Sequence, residues 1–306
     1  MDDHDFAPVK AEEKSGYISH DVGKKKRHLF FHHRGCWLGL ALILVLAIFA
    51  VVVPLVSPYR FDEVHLSDKN LAPCRAHILG TDDLGRDLST RTAAGLRISL
   101  FIGLLAAFLD MCIGLTWGAV SGFCGGAVDQ IMMRTADFIY SVPYLLAVLL
   151  VAAFVGPGLS SILIAMCLVG WIQMARLVRT QTLATKSLDF VLAAHSLGVG
   201  PGKIVLRHIF PNIAGSTLAM LLLTIPHAIF TEAFLSFLGI GIGPPAASLG
   251  SMTADALPAL RFYPWRLFIP ALTVTATIFA FNLIGDALRD LLDPKQKKCI
   301  ESPYAS

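Results

Sequence analysis

Charge is what this sequence has least of. Only 15% of its 306 residues are Asp, Glu, Lys or Arg, whereas 55% are hydrophobic, and the mean hydropathy is +0.65. A soluble globular chain carries about 25% charged residues, so a soluble fold is excluded. The net charge of +3 gives no support to a nucleic-acid partner. The six cysteines, Cys36, Cys74, Cys112, Cys124, Cys167 and Cys299, form no Cys-x-x-Cys pair and no zinc spacing. Four of them lie in or beside apolar runs and read as small buried hydrophobes. No internal repeat of about 20–50 residues is found. No cleavable leader is read either, since about 35 polar residues precede the first apolar run and that run is too long for a leader core.

Nucleotide motifs are also missing. The stretch "GVGPGKI" invites comparison with a phosphate-binding loop, but Leu197 stands where the first glycine belongs and Ile204 where a hydroxyl belongs. Gly239, Gly241 and Gly243 lack the third spacing of a dinucleotide loop and read as easing the exit from an apolar run. No catalytic residue, no metal ligand set and no cofactor is assigned. His28, His32 and His33 sit among Lys24, Lys25, Lys26, Arg27 and Arg34. This cluster reads as an interfacial basic stretch, with a metal site as the alternative.

What the sequence has in abundance is long apolar runs. A bilayer-spanning helix needs about 20 mostly apolar residues. Six runs approach that, at 36–57, 98–122, 139–155, 159–175, 213–240 and 267–284. The expected fold is therefore an all-α integral membrane protein with six transmembrane helices. Residues 1–35 form an N-terminal tail, 36–57 the first span, 58–97 an extracytoplasmic segment, 98–292 a five-helix core and 293–306 a C-terminal tail. Lys and Arg near span ends set orientation. Arg176, Arg179, Lys186, Lys203 and Arg207 crowd the segment 176–211, and Lys295, Lys297 and Lys298 the tail. Both termini are thus expected on the cytoplasmic side, although several arginines in 57–97 run against the rule.

Between the fourth and fifth spans lies "DFVLAAHSLGVGPGKIVLRHIFPN". Phe190, Ala193, Ala194 and Leu197 recur at helical spacing, Gly198 and Pro201 break the run, and Ile204, Val205, His208 and Ile209 make a second short stripe. Pro211 resists continuation and helps start the next span. The pattern predicts a helix–turn–helix hairpin at the cytoplasmic surface. It suits a groove on a soluble partner or, alternatively, an anionic lipid surface.

Ionisable groups inside spans are costly and raise functional hypotheses. Asp110 falls in the second span, His227 and Glu232 in the fifth. Each is either satisfied by neighbouring helices or faces a wet translocation pathway. Asp82, Asp83 and Asp87 are expected to cap the helix entering the second span, with Arg86 and Arg91 pairing locally. Contact with an outside partner is the alternative. Asp286, Arg289 and Asp290 are spaced for intrahelical pairing, and Pro294 ends that helix.

The hairpin resembles the coupling loop of permease subunits of binding-protein-dependent ABC importers, known as the EAA loop, here at about 186–211. Ala193-Ala194, three residues to Gly198, nine more, and then His208-Ile209-Phe210-Pro211 follow its spacing. Leu192 stands where the pattern has Glu, so any polar contact of that Glu is missing. "HILGTDDLGRD", "DQIMMRTADFIYSVP", "FLSFLGIGIGPP" and "FNLIGDALRDLLDPK" extend the likeness over residues 75–295. They resemble the dipeptide/oligopeptide/nickel permease family and, within it, the C-type subunit.

This resemblance implies a type I, MetI-like permease core in the bacterial inner (cytoplasmic) membrane, importing di- or oligopeptides, or else nickel chelates or another small solute. It further implies a homologous second permease, two cytoplasmic ATP-binding subunits and an extracytoplasmic solute-binding protein as partners. The coupling role would fall to Ala193, Ala194, Gly198, Pro201, His208, Ile209 and Pro211, and ATP hydrolysis would lie in separate subunits. Two other classes compete. A stand-alone secondary transporter or channel would have an inverted repeat or more charge within its spans and no docking hairpin. A membrane scaffold would need no intramembrane acids.

Overall fold

The computed structural model describes residues 34–156, 158–243 and 245–292. The N-terminal lysines, Arg27 and the three histidines, Pro294 and the tail lysines lie outside the described residues, whereas Arg34 opens the first helix. Within them the secondary structure is helical, apart from an isolated antiparallel bridge between Thr81 and Asp87.

Helix α1 (Arg34–Val56) lies on the last helix of the chain and contains Pro54. Proline has no N–H, so the carbonyl one turn back loses its helical donor. Arg97 of the next long helix takes that place. Its Nε donates to the Ala50 carbonyl at 2.5 Å and its Nη2 to Val51 at 3.3 Å.

Helix α2 (Leu88–Cys124) is 37 residues long. It begins at Leu88 rather than near Ile98, where the apolar run starts. The Asp87 carboxylate accepts the Thr90 amide at 2.9 Å, as expected of a cap. The polar first turns, Ser89 to Thr92, are buried against protein instead of lipid. Hydropathy registers contact with lipid, and this stretch has none to register.

Helices α3 (Gly126–Tyr140) and α4 (Tyr144–Val155) meet at an 80° bend. The expected third span, 139–155, straddles that bend. Pro143 offers no donor and steers its predecessor out of helical geometry. At 12 residues α4 is about 18 Å long, less than the roughly 30 Å hydrocarbon core.

Helices α5 (Leu159–Val169) and α6 (Trp171–Lys186) form one apolar stretch running to Lys186, beyond the expected end near Ala175. The most extensive packing in the fold joins α2 to α6. Gly114, Gly118 and Gly122 make it possible. A Cβ on Gly114 would sit 2.6 Å from Met174 Cβ, one on Gly122 2.9 Å from the Arg179 carbonyl, and Gly118 is pressed onto the Ala175 carbonyl. Without lipid-excluding force between helices, small residues bring backbones into contact. Two ion pairs lock α3 onto α6: Arg179 Nη2 to Asp129 at 2.6 Å, and Arg176 to Asp137 at 2.8 Å.

The chain continues through α7 (Asp189–Ser196), α8 (Pro201–Ile204), a π-turn at Val205–Ile209, and α9 (Phe210–Phe237). The loop expected between the fifth and sixth spans contains a short helix, α10 (Leu249–Ala256), started by a Ser248/Ser251 capping box. Helix α11 (Trp265–Leu292) ends the described chain and carries Asp286, Arg289 and Asp290. Helix α9 sits between α2 and α11. Five helical stretches are long and apolar enough to cross a membrane, or six with the α3–α4 pair taken as one.

Candidate functional site

The hairpin of α7 and α8 follows the end of α6, where Lys186 Nζ donates to the Phe123 carbonyl at 2.5 Å. It therefore sits at the Cys124 end of α2, about 55 Å along that helix from Leu88. Its inner face is apolar and buried. Val191, Ile204 and Ile209 pack with Ala119, Met174 and Val178 of α2 and α6. Ala194 is buried on the same side.

The outer face is also apolar, and nothing among the described residues covers it. Phe190, Leu192 and Leu206 are exposed, and Leu197 at the turn is 83% exposed. The stripe read from sequence thus divides. Phe190, Ala193 and Leu197 face out, whereas Ala194 faces in with Val191.

Each proposed coupling residue has a defined place. Gly198 forms the turn at φ +77°, a left-handed conformation that side-chain-bearing residues resist. Pro201 opens α8 at its first position. His208 is half-buried with its ring 6.4 Å from Phe190. Pro211 was expected to separate hairpin from span, but the helix is continuous from Pro201 to Phe237. The π-turn explains this. The Phe210 amide reaches back to the Val205 carbonyl, five residues away, which lets the proline ring fit without breaking the rod. The second arm of the hairpin and α9 are one lever.

The three ionisable residues of the spans are not brought together. Glu232 has no exposed surface in the chain. Ser99 of α2 donates to it at 2.7 Å and Ser236 at 2.8 Å. It ties α9 to α2. Asp110 is buried against Gly170, too close for any Cβ there, and its Oδ1 has no hydrogen-bond partner among the described residues. His227 is exposed, and Phe230 and Phe234 share its side of α9, their rings stacked at 6.4 Å.

At the far end of α2 the segment 57–88 folds into a knot. Asp82 Oδ2 accepts from Arg86 Nε at 2.6 Å, and His77 Nδ1 lies 3.0 Å from Asp87. The local pairing of Asp82 and Arg86 was legible from sequence. The part played by Arg266 was not. Its Nη1 donates to Asn70 at 2.9 Å and its Nη2 lies 3.2 Å from Asp83. The only signal was an arginine directly before the last apolar run. Asp129 and Arg179 were missed for the same reason, being partners from different helices.

Comparison with known proteins follows the same outline. The family described as binding-protein-dependent transport system inner membrane component matches residues 114–298. The N-terminal TM domain of oligopeptide transport permease C matches residues 26–73. The oligopeptide transport system permease protein OppC of Bacillus subtilis is 49% identical over 96% of this chain and 97% of its own. The dipeptide transport system permease protein DppC of the same organism is 46% identical over 85% and 82%. A solved inward-facing form of the MetNI methionine ABC transporter shares the fold, with a TM-score of 0.55 at 16% identity, over 66% of this chain and 97% of that one.

Proposed function

This chain belongs to the family of binding-protein-dependent transport system inner membrane components, and we propose that it builds half of a translocation pathway for di- or oligopeptides. The other half is a homologous second permease. Two ATP-binding subunits dock on the α7–α8 hairpin, which faces the cytoplasm together with both termini, and a solute-binding protein delivers cargo at the opposite end. Relatives named for oligopeptide and dipeptide transport, matched over nearly the whole chain, support the cargo.

The single observation that carries the coupling role is the hairpin's two-sided apolar surface. One side is anchored by Val191, Ile204 and Ile209, and the other leaves Phe190, Leu192 and Leu197 bare. Exposed apolar patches rimmed by polar groups mark partner surfaces. Motion imposed there by ATP-driven closure passes through the π-turn into α9 without a joint. Helix α9 is tied to α2 through Glu232 and Ser99, so the two helices move together. Rigid elements rocking about a fixed site are the usual means of alternating access. His227, with Phe230 and Phe234, lines the pathway side of the lever. Glu232 holds the lever, and Asp110 lies behind it beside α5.

The test is cargo-stimulated ATP hydrolysis by the reconstituted complex across a panel of di- and oligopeptides. Stimulation by peptides in the presence of the binding protein is expected. Equal basal hydrolysis with every peptide would overturn the cargo assignment.

A further inference from the structure

The knot at the Leu88 end of α2 crowds three buried arginines around carboxylates that do not take up all of their donors. Arg86, Arg91 and Arg266 are 9%, 4% and 5% exposed, against one comparably buried carboxylate in their midst, Asp82 at 4%. Asp87 is buried too, but it is spent on capping α2, on Ser89 and on His77. Asp82 is shared, with Arg86 Nε at 2.6 Å and Arg91 Nε at 3.4 Å. Asp83 is half exposed and reaches Arg266 at 3.2 Å and Arg86 at 3.9 Å. After these pairings Arg91 Nη1 and Arg266 Nε are buried donors with no partner among the described residues. Buried charge is costly unless it is paired and hydrogen-bonded. Both unfilled groups are charged donors, so what the cluster lacks is an acceptor, and a carboxylate suits them.

Space for one lies alongside. A pocket of about 10 Å³ is lined by Arg86, Arg91, Arg266 and Asp255. Arg86, Arg91 and Asp255 also line an adjoining cavity of about 210 Å³, walled by Ser236, Ser251 and the glycines that follow α9. The guanidiniums of Arg86 and Arg91 and the Asp255 carboxyl share its lining, whereas the Ser236 and Ser251 hydroxyls are engaged with Glu232 and with Ser248. Asp255 is exposed at its rim. Contact with the protein desolvates one flank of that carboxyl and raises its pKa, while Arg91 pulls the other way. Guanidinium forks match carboxylates in two-point geometry.

We propose that this cavity receives the terminal carboxylate of a peptide entering the pathway, with Arg91 as its principal donor. The proposal rests on the peptide-importer reading above and goes beyond it by naming a subsite. Every linear peptide ends in a carboxylate whatever its side chains, so a site for that group accepts cargo without reading sequence. The cavity is also well placed. It opens at the end of α9 opposite the hairpin, where the lever arm finishes.

The test compares uptake of trialanine and trialanine amide by the full importer complex in proteoliposomes. Selectivity of the binding protein enters both wild-type and variant ratios and cancels between them. The wild-type complex is expected to prefer the acid. Arg91→Gln should lower the acid-to-amide ratio about tenfold, and Arg91→Lys should restore part of it. Asp255→Asn should raise the ratio severalfold by removing the competing charge. That second variant lies at an exposed rim position, so it carries the test if Arg91→Gln fails to assemble. Equal loss of acid and amide uptake in Arg91→Gln, or an unchanged ratio in Asp255→Asn, overturns the subsite while leaving the importer intact. A wild-type complex that imports neither peptide overturns the importer reading and the subsite with it.

Discussion

The two ends of α2 carry polar structure of similar size, and they are built on opposite plans. At the Leu88 end, segment 57–88 and the approach to α11 close on themselves. Arg266 reaches Asn70 across 196 positions of sequence, and Asp82 and its arginines are buried. At the Cys124 end, the hairpin makes one anchored face and leaves the other unused, with Leu197 and Leu206 largely exposed. A region whose buried charges are mostly paired within the fold resists deformation, even where a few donors are left over. A region that leaves apolar surface bare is completed by something else. On that difference we propose the first end as a rigid mouth and the second as a handle.

The contrast can be broken most severely at Asp82. Asp82→Ala strands Arg86 and Arg91 as uncompensated buried charges, and removing one partner of a buried pair costs about 3–5 kcal/mol. A large drop in thermal stability of the purified protein is expected. An unchanged melting temperature would mean that the knot is not the rigid end. Next comes the glycine seam that links the ends. Gly118→Val forces a branched side chain against the Ala175 carbonyl, and overpacking of this kind costs about 1–3 kcal/mol. Destabilisation should exceed that of Gly202→Ala, where nothing lies within 4 Å of the added carbon and the backbone is not left-handed.

At the handle the expectation reverses. Leu197→Glu should change stability by less than about 0.5 kcal/mol, as for an ordinary surface position. The same substitution should reduce co-purification of the ATP-binding subunits about tenfold, a difference of roughly 1.4 kcal/mol. A smaller effect is expected at the α1 contact. Arg97→Met removes the donor to the carbonyl freed by Pro54, worth about 1 kcal/mol. It should be nearly neutral in a Pro54→Ala background, where the helix supplies its own donor, and thermal melts of the wild type and the three variants measure that coupling.

Much of this was legible in the sequence, and the limit has a physical cause. Apolar runs announced the helices because lipid contact demands apolar side chains along an entire face. The hairpin announced itself through Gly198, Pro201 and the stripes on either side. The cap at Asp87 is local and was expected. Helix bounds were misjudged wherever a helix leaves the lipid yet stays inside protein, as from Leu88 to Arg97. The division of α7 into inward Val191 and Ala194 and outward Phe190, Ala193 and Leu197 was hidden because both faces are apolar. Glu232 could not be assigned from sequence, since its partner Ser99 lies 133 positions away. Continuity through Pro211 depends on a π-turn that no propensity rule announces.

The claim on which the rest depends is that the hairpin is the handle. Single cysteines placed at Ala193 and Leu197 in the assembled complex, treated with a short crosslinker in sealed vesicles, test it directly. Both positions should be protected from an impermeant thiol reagent applied outside, and both should capture an ATP-hydrolysing subunit, whereas a cysteine at Asp83 should capture none. Labelling of Ala193→Cys or Leu197→Cys from the outer side, or capture of the ATP-hydrolysing subunit at Asp83→Cys instead, would contradict the account.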